Sequence, residues 1–177
     1  KDELAPRATA IEDRDDWTAI KHVVRTLGEA GYLKLMFTDL YRGKLRQPGL
    51  THATILSEEA AYLNYAFETT IATALSCAYP LHRYATDAVR ERHLPGILDG
   101  RTVGAICVTE PGARSDTWRV ESTVALDEAR NEWVINGLKR YISNASVADT
   151  YIVYGVDPAS TGGRRPLSAV VVPRDAA

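Results

Sequence analysis

The run Thr109-Glu110-Pro111-Gly112-Ala113-Arg114-Ser115-Asp116 follows directly on the apolar stretch Val103 to Val108. A strand that empties into a Pro-Gly turn leaves backbone N–H groups and small hydroxyls at a sheet edge, where they can hold something flat or anionic. A second polar-edged segment, Lys139-Arg140-Tyr141-Ile142-Ser143-Asn144, lies some thirty residues on. Two such edges in one sheet predict a cofactor seat. Other chemistries lack their residues. Ser115-Asp116 has no nearby histidine to complete a nucleophilic triad. His22, His52, His82 and His93 form no ligand pattern with cysteine or carboxylate, so no metal site is expected. Glu58 and Glu59 are adjacent on a helix and point about a hundred degrees apart, which suits a solvated face better than an acid–base pair.

The elements that must position these residues change character near Arg101. Before it the pattern is helical. Ile20, Val23, Val24, Leu27 and Ala30 share one face, with Asp15 and Asp16 at the N-terminus and Gly31 to close the helix. After a turn-rich stretch from Gly43 to Gly49, one long segment from Thr51 to about Cys77 is apolar around much of its circumference, as a central helix is. Thr86 offers an N-cap for a helix over Asp87 to His93, and Pro95-Gly96 with Asp99-Gly100 marks its exit. From Val103 the residues favour strands: Val103 to Thr109, Val120 to Leu126, Glu132 to Ile135, Leu138 to Ser143, Tyr151 to Val156 and Leu167 to Val172. Asn136-Gly137 reads as a type I′ hairpin between two of them. Pro158 to Pro166 reads as a loop. The expectation is an α+β chain, with an all-α domain over residues 1–102 and an antiparallel β-barrel or sandwich domain, incomplete, over 103–177.

The signature Ala105-Ile106-Cys107-Val108-Thr109-Glu110-Pro111-Gly112-Ala113-Arg114-Ser115-Asp116, with Asn136-Gly137-Leu138-Lys139-Arg140-Tyr141-Ile142-Ser143-Asn144, resembles the acyl-CoA dehydrogenase family. The likeness continues through Leu27 to Tyr32, Ser57 to Tyr62, His93 to Gly100 and Ala148-Asp149, and so covers nearly the whole chain. It implies FAD as cofactor and an acyl thioester as substrate. The backbone of Ile106, Cys107 and Val108 and the hydroxyl of Thr109 would meet the flavin edge, and Tyr141, Ile142 and Ser143 its other side. Tyr141 and Ser143 stand where the family commonly has Trp and Thr, and both keep the aromatic face and the hydroxyl. Gly112 would help present N–H groups. Ser115 would reach the flavin pyrophosphate or the thioester end of the substrate, or serve locally as a turn hydroxyl.

Arg114 replaces a residue that is usually Gly in the family, which tolerates φ > 0 as Arg does not. Two readings stay open: a relaxed turn with a solvated side chain, or a cation at the pantetheine mouth suited to phosphate. Glu68 lies at the level where the family's acyl tail ends, either in a structural ion pair or facing the pocket, which would then take a short or polar acyl group. Phe67, Ile71, Ala72 and Leu75 would line the same tube. The resemblance implies α,β-dehydrogenation to a trans-2-enoyl thioester, a glutamate base on a C-terminal four-helix bundle absent from these residues, reoxidation by an electron-transfer flavoprotein, and a homodimer or homotetramer. A dehydrogenase of carrier-protein thioesters, a flavin oxidase of the same fold and a non-catalytic flavin- or thioester-binding member are the alternatives. The chain is expected to be a piece of a longer or cleaved polypeptide, or to be completed by a partner.

The 177 residues carry a formal net charge of -2 with cations scattered among acids, which offers no field for nucleic acid. No run reaches the ~18 apolar residues of a membrane span, and the N-terminus lacks the order of a secretory signal. Cys77 and Cys107 both lie in apolar runs and read as buried thiols, so a cytoplasmic setting is expected.

Overall fold

A computed structural model describes residues 4–5, 17–40, 49–159 and 166–176. Asp15, Asp16, residues 43–48 and most of the loop expected over 158–166 lie outside them.

The helical half is built from α1 (Trp17–Glu29), a 3-10 turn (Tyr32–Lys34), α2 (Leu50–Leu63), α3 (Tyr65–Tyr84) and α4 (Asp87–Leu98). Most of the apolar face read for α1 is the buried one, with Ile20, Val23, Val24 and Leu27 at most 7% exposed, while Ala30 is exposed just beyond the helix end. Gly31 ends it at φ 78. Gly28 meets the backbone of Asp99 and Gly100, so a Cβ there would collide with main chain where α1 crosses the end of α4. The single helix expected over Thr51–Cys77 is two. Asn64, at φ -167 and ψ 130, is extended, and its side chain accepts from the Ala66 N–H at 2.7 Å. An asparagine that caps the next turn competes with continuing the previous one, and here the cap wins. The central character does hold for α3, whose Phe67, Ile71, Ala74, Cys77, Ala78 and Leu81 are buried. Pro95-Gly96 does not end α4 as expected, because Pro95 sits inside the helix and accepts from the Asp99 N–H at 2.9 Å.

Five strands follow: β1 (Gly104–Cys107), β2 (Thr123–Asp127), β3 (Glu132–Asn136), β4 (Thr150–Val156) and β5 (Leu167–Pro173). The sheet is mixed rather than antiparallel throughout. β2 pairs antiparallel with β3 and β4 with β5, but β1 runs parallel to β4 from Gly104↔Thr150 to Cys107↔Val153. Parallel pairing needs a long connection, and the residues between β1 and β4 provide one. β2 meets the same strand at Thr123↔Val156, also parallel. Since β5 follows β4 along its whole length, β1 and β2 share its other edge end to end, and residues 108–122 must loop out between them.

Leu138 to Ser143, expected as a strand, is irregular. Tyr141 at φ 57 and Asn144 at φ 65 lie in the left-handed region, which breaks the pleat. β2 and β3 form a hairpin that turns at residues 128–131, with Asn131 at φ 52, whereas no hairpin forms at Asn136-Gly137, because the segment after it is not a strand. Gly137 instead lies against Ser122, a close approach that no side chain would allow. No helix among the described residues is long and apolar enough to cross a membrane.

Candidate functional site

The excursion between β1 and β2 is held by one carboxylate. Glu110 is 5% exposed and accepts from the Glu121 N–H at 2.6 Å, the Ser122 N–H at 3.0 Å and the Lys139 ammonium at 2.7 Å. Lys139 also donates to the Val108 carbonyl at 3.2 Å. Burial opposes the charge on Glu110, yet the Lys139 ammonium and the backbone donors outweigh it and hold its carboxyl at about 2. One side chain thus ties the end of β1, the entry to β2 and the segment after β3.

Two further contacts place the second segment. The Arg140 N–H donates to the Thr109 carbonyl at 2.9 Å. The Asn144 amide donates to the Thr70 carbonyl on α3 and the Gly104 carbonyl on β1, each at 3.3 Å. Within the loop, the Arg114 N–H reaches the Glu110 carbonyl at 3.3 Å and the Asp116 N–H the Ala113 carbonyl at 3.0 Å. Asp116 caps the short turn that follows, accepting from the Trp118 N–H at 3.2 Å.

These contacts enclose an open cleft of about 790 Å3 lined by Thr109, Glu110, Arg114, Ser115, Thr117, Arg140 and Tyr141 among others. The sequence-predicted Thr109, Arg114, Ser115 and Tyr141 are therefore brought together. Tyr141 is 78% exposed, and the Arg140 guanidinium lies 4.6 Å from its ring centroid. Gly112 is exposed on the loop, Ser143 is exposed and Ile142 half-buried beyond Tyr141. Val108 is half-buried, and Cys107 is buried, its thiol pushed up to about 11 by burial despite the pull of Lys139.

Ile106 faces elsewhere. With Ala72, Leu75, Ser76, Tyr79 and Tyr154 it lines an apolar groove of about 720 Å3. Phe67 and Ile71 do not share that groove; both belong to a separate cavity of about 320 Å3 against Val23 and Leu27. Glu68 is half-buried in the first turn of α3, where a carboxylate complements the helix N-terminus, and forms no ion pair among the described residues.

Sequence reasoning quoted Glu110, Lys139 and Asn144 within its motifs and gave them no role. A signal was present: Glu110 follows the buried run that ends at Cys107, where a lone charge would be costly, and Lys139 offers the opposite charge in the second motif.

The model for the acyl-CoA dehydrogenase N-terminal domain matches residues 1–101, and that for the acyl-CoA dehydrogenase middle domain matches 105–177. The chain belongs to the acyl-CoA dehydrogenase family. It is 29% identical over 164 residues to the glutaryl-CoA dehydrogenase of Desulfococcus multivorans, covering 92% of this chain and 42% of the relative. It is 32% identical over 177 residues to a probable acyl-CoA dehydrogenase of Bacillus subtilis, covering 99% and 45%. The chain thus spans less than half the length of either relative. The butyryl-CoA dehydrogenase structure from Megasphaera elsdenii superposes with a TM-score of 0.78 at 26% identity, covering 98% of this chain and 45% of that one. An acyl-CoA dehydrogenase from Bacillus anthracis, solved complexed with FAD, shares the fold at a TM-score of 0.82, 24% identity and 98% and 28% coverage.

Proposed function

We propose that this chain supplies the flavin-edge cradle and part of the acyl groove of an FAD-dependent dehydrogenase that converts an acyl thioester to its trans-2-enoyl thioester. The observation that carries the reading is the convergence of the Thr109–Thr117 loop and the Arg140–Tyr141 segment on one cleft beside the end of β1, locked by Glu110. The donor set fits the cofactor: hydroxyls at Thr109, Ser115 and Thr117 and guanidinium groups suit the polar edge and pyrophosphate of a flavin dinucleotide, and the exposed Tyr141 ring suits a flat face. The flavin, when bound, accepts the β-hydride of the thioester.

What the chain's own residues do is orient and enclose. The Thr109 hydroxyl and the neighbouring strand backbone hold the ring edge, Tyr141 flanks it, and Ser143 donates from the far side. The groove along Ala72, Leu75 and Ile106 presents no charged side chain among the described residues that line it, which suits an uncharged acyl tail. The catalytic glutamate comes from polypeptide outside these residues, and the whole enzyme is reoxidised by an electron-transfer flavoprotein and assembles as a homodimer or homotetramer. Two buried, unbridged thiols suit a cytoplasmic setting.

The test is flavin binding by the full-length protein. FAD should be retained through purification or taken up on reconstitution, and Ser143→Ala should weaken it by about 0.5–1.5 kcal/mol, the worth of one neutral hydrogen bond. A protein that neither holds nor takes up flavin would overturn the proposal, and an unchanged dissociation constant would remove Ser143 from the site.

A further inference from the structure

The cleft carries more positive charge than its own fold uses. The one carboxylate among the described residues that line it, Glu110, is already satisfied by Lys139 and two backbone N–H groups. Arg114 and Arg140 line the same space, both exposed, and neither pairs with a carboxylate among the described residues. Of the acids on the loop's flanks, Asp116 caps the Trp118 N–H, and Glu121 is exposed beside Gly112.

Both arginines are held in place at their backbones. Arg114 sits at φ 50, a conformation that costs a residue with a Cβ about 1 kcal/mol and that persists where surrounding contacts fix it. Those contacts are its own N–H on the Glu110 carbonyl and the neighbouring Asp116 N–H on the Ala113 carbonyl. Arg140 is pinned by its N–H to Thr109, and its guanidinium rests over the Tyr141 ring. Ser115 and Thr117 line the same cleft and add hydroxyl donors to it.

We propose that Arg114 and Arg140 form a two-guanidinium clamp for a phosphate ester brought into the cleft by its ligand. Planar guanidinium forks match phosphate oxygens in pairs, which a hydroxyl alone does not. Two ligands of the reading above carry that chemistry: the flavin dinucleotide through its pyrophosphate, and the thioester through the phosphate at the end of its pantetheine arm. The inference rests on that reading and adds to it the residues that select a phosphorylated ligand over its phosphate-free counterpart.

The test uses the full-length protein with Arg114→Gln, Arg140→Gln and both together. Arg130→Gln removes one charge at the β2–β3 turn and serves as the control. Glutamine at 114 carries the same positive-φ burden as arginine, so backbone strain is held constant. Calorimetry at low salt would give dissociation constants for FAD against riboflavin and for CoA against pantetheine. The double variant should bind FAD or CoA at least about tenfold more weakly, with the phosphate-free counterpart and the Arg130→Gln control unchanged. The deficit should shrink as salt rises. A loss confined to FAD assigns the clamp to the flavin pyrophosphate, and one confined to CoA assigns it to the thioester arm. Unchanged constants for FAD and CoA alike, or equal losses for riboflavin and pantetheine, would overturn the clamp. A parent protein that binds no flavin would sink the dehydrogenase reading instead, and the clamp would then be decided by CoA against pantetheine alone. Should the double variant melt early, the single variants that melt with the parent decide the same comparison.

Discussion

Replacing Glu110 with Gln is the sharpest perturbation of the site, because it changes one charge and little shape. In the parent, the carboxylate joins three segments through bonds of 2.6, 2.7 and 3.0 Å. Its carboxyl is held at about 2 against 4.5 for a free glutamate. At about 1.4 kcal/mol for each tenfold in proton affinity, that difference corresponds to about 3 kcal/mol of stability. The sign follows from the direction. A carboxyl depressed on folding contributes fully above about pH 4.5, and the contribution is lost as pH falls from there towards 2. Glutamine can accept but cannot pair with Lys139, whose side chain is only 11% exposed and would be left as an unbalanced, nearly buried cation. Urea unfolding at pH 7 should therefore show Glu110→Gln less stable by about 3 kcal/mol, and the gap should narrow steadily between pH 4.5 and pH 2.5. Lys139→Met should be destabilising too, and the double variant should lose less than the two single losses together, since each single change strands the other group. A deficit below about 1 kcal/mol at pH 7, or a deficit that does not change down to pH 3, would refute the claim that this ion pair fastens the cleft.

Asn144→Ala should cost about 2 kcal/mol in thermal or urea unfolding, from two lost hydrogen bonds and a positive φ left without an asparagine, while Asn144→Gly should cost less; equal losses would show that the backbone conformation is irrelevant there. Gly104→Ala would place a Cβ 2.8 Å from both Cβ and Sγ of Cys77 and 3.3 Å from Ile97. That overpacking should destabilise by about 1–3 kcal/mol, and Cys77→Ala in the same protein should recover part of it. Arg114→Gly should raise the melting temperature by relieving about 1 kcal/mol of backbone strain, and at the same time raise the Michaelis constant for a pantetheine-linked thioester with turnover nearly unchanged, the pattern of lost uniform binding. Identical kinetics at low salt would leave Arg114 a turn residue only.

The parts of this protein that were legible in its sequence are those set by local pattern. The apolar face of α1, the central character of α3 and the switch to strand-forming residues near Arg101 each rest on periodicity or propensity, and each appears in the structure. Two of the misreadings share one cause: a residue whose local preference was outvoted by a distant partner. Leu138 to Ser143 has strand-forming residues, but Arg140 is drawn to Thr109 and Asn144 to Thr70 and Gly104, and satisfying these needs left-handed turns at Tyr141 and Asn144. Asn136-Gly137 has the composition of a hairpin, yet the glycine is used to let Ser122 come close. β1 beside β4 could not be read as parallel, because nothing in either strand states its direction. Asn64 is the exception, a local signal that was simply overlooked inside a long apolar run.

The same logic explains why the candidate site was only half visible. Hydroxyls and aromatics at a strand end announce what could touch a ligand, so Thr109, Ser115 and Tyr141 stood out. The residues that bring them together are marked instead by the contacts they make within the protein. Glu110 turns inward to backbone donors across the loop, and Lys139 meets it from the far segment. Arg114 shows the two levels meeting in one residue. In the sequence it is a departure from an expected glycine; in the structure it sits at φ 50, a conformation glycine adopts without cost, while adding a cation to the cleft. Glutamine at this position would carry the same positive φ without the charge, and for that reason the chemistry of Arg114 can be tested separately from the turn that presents it.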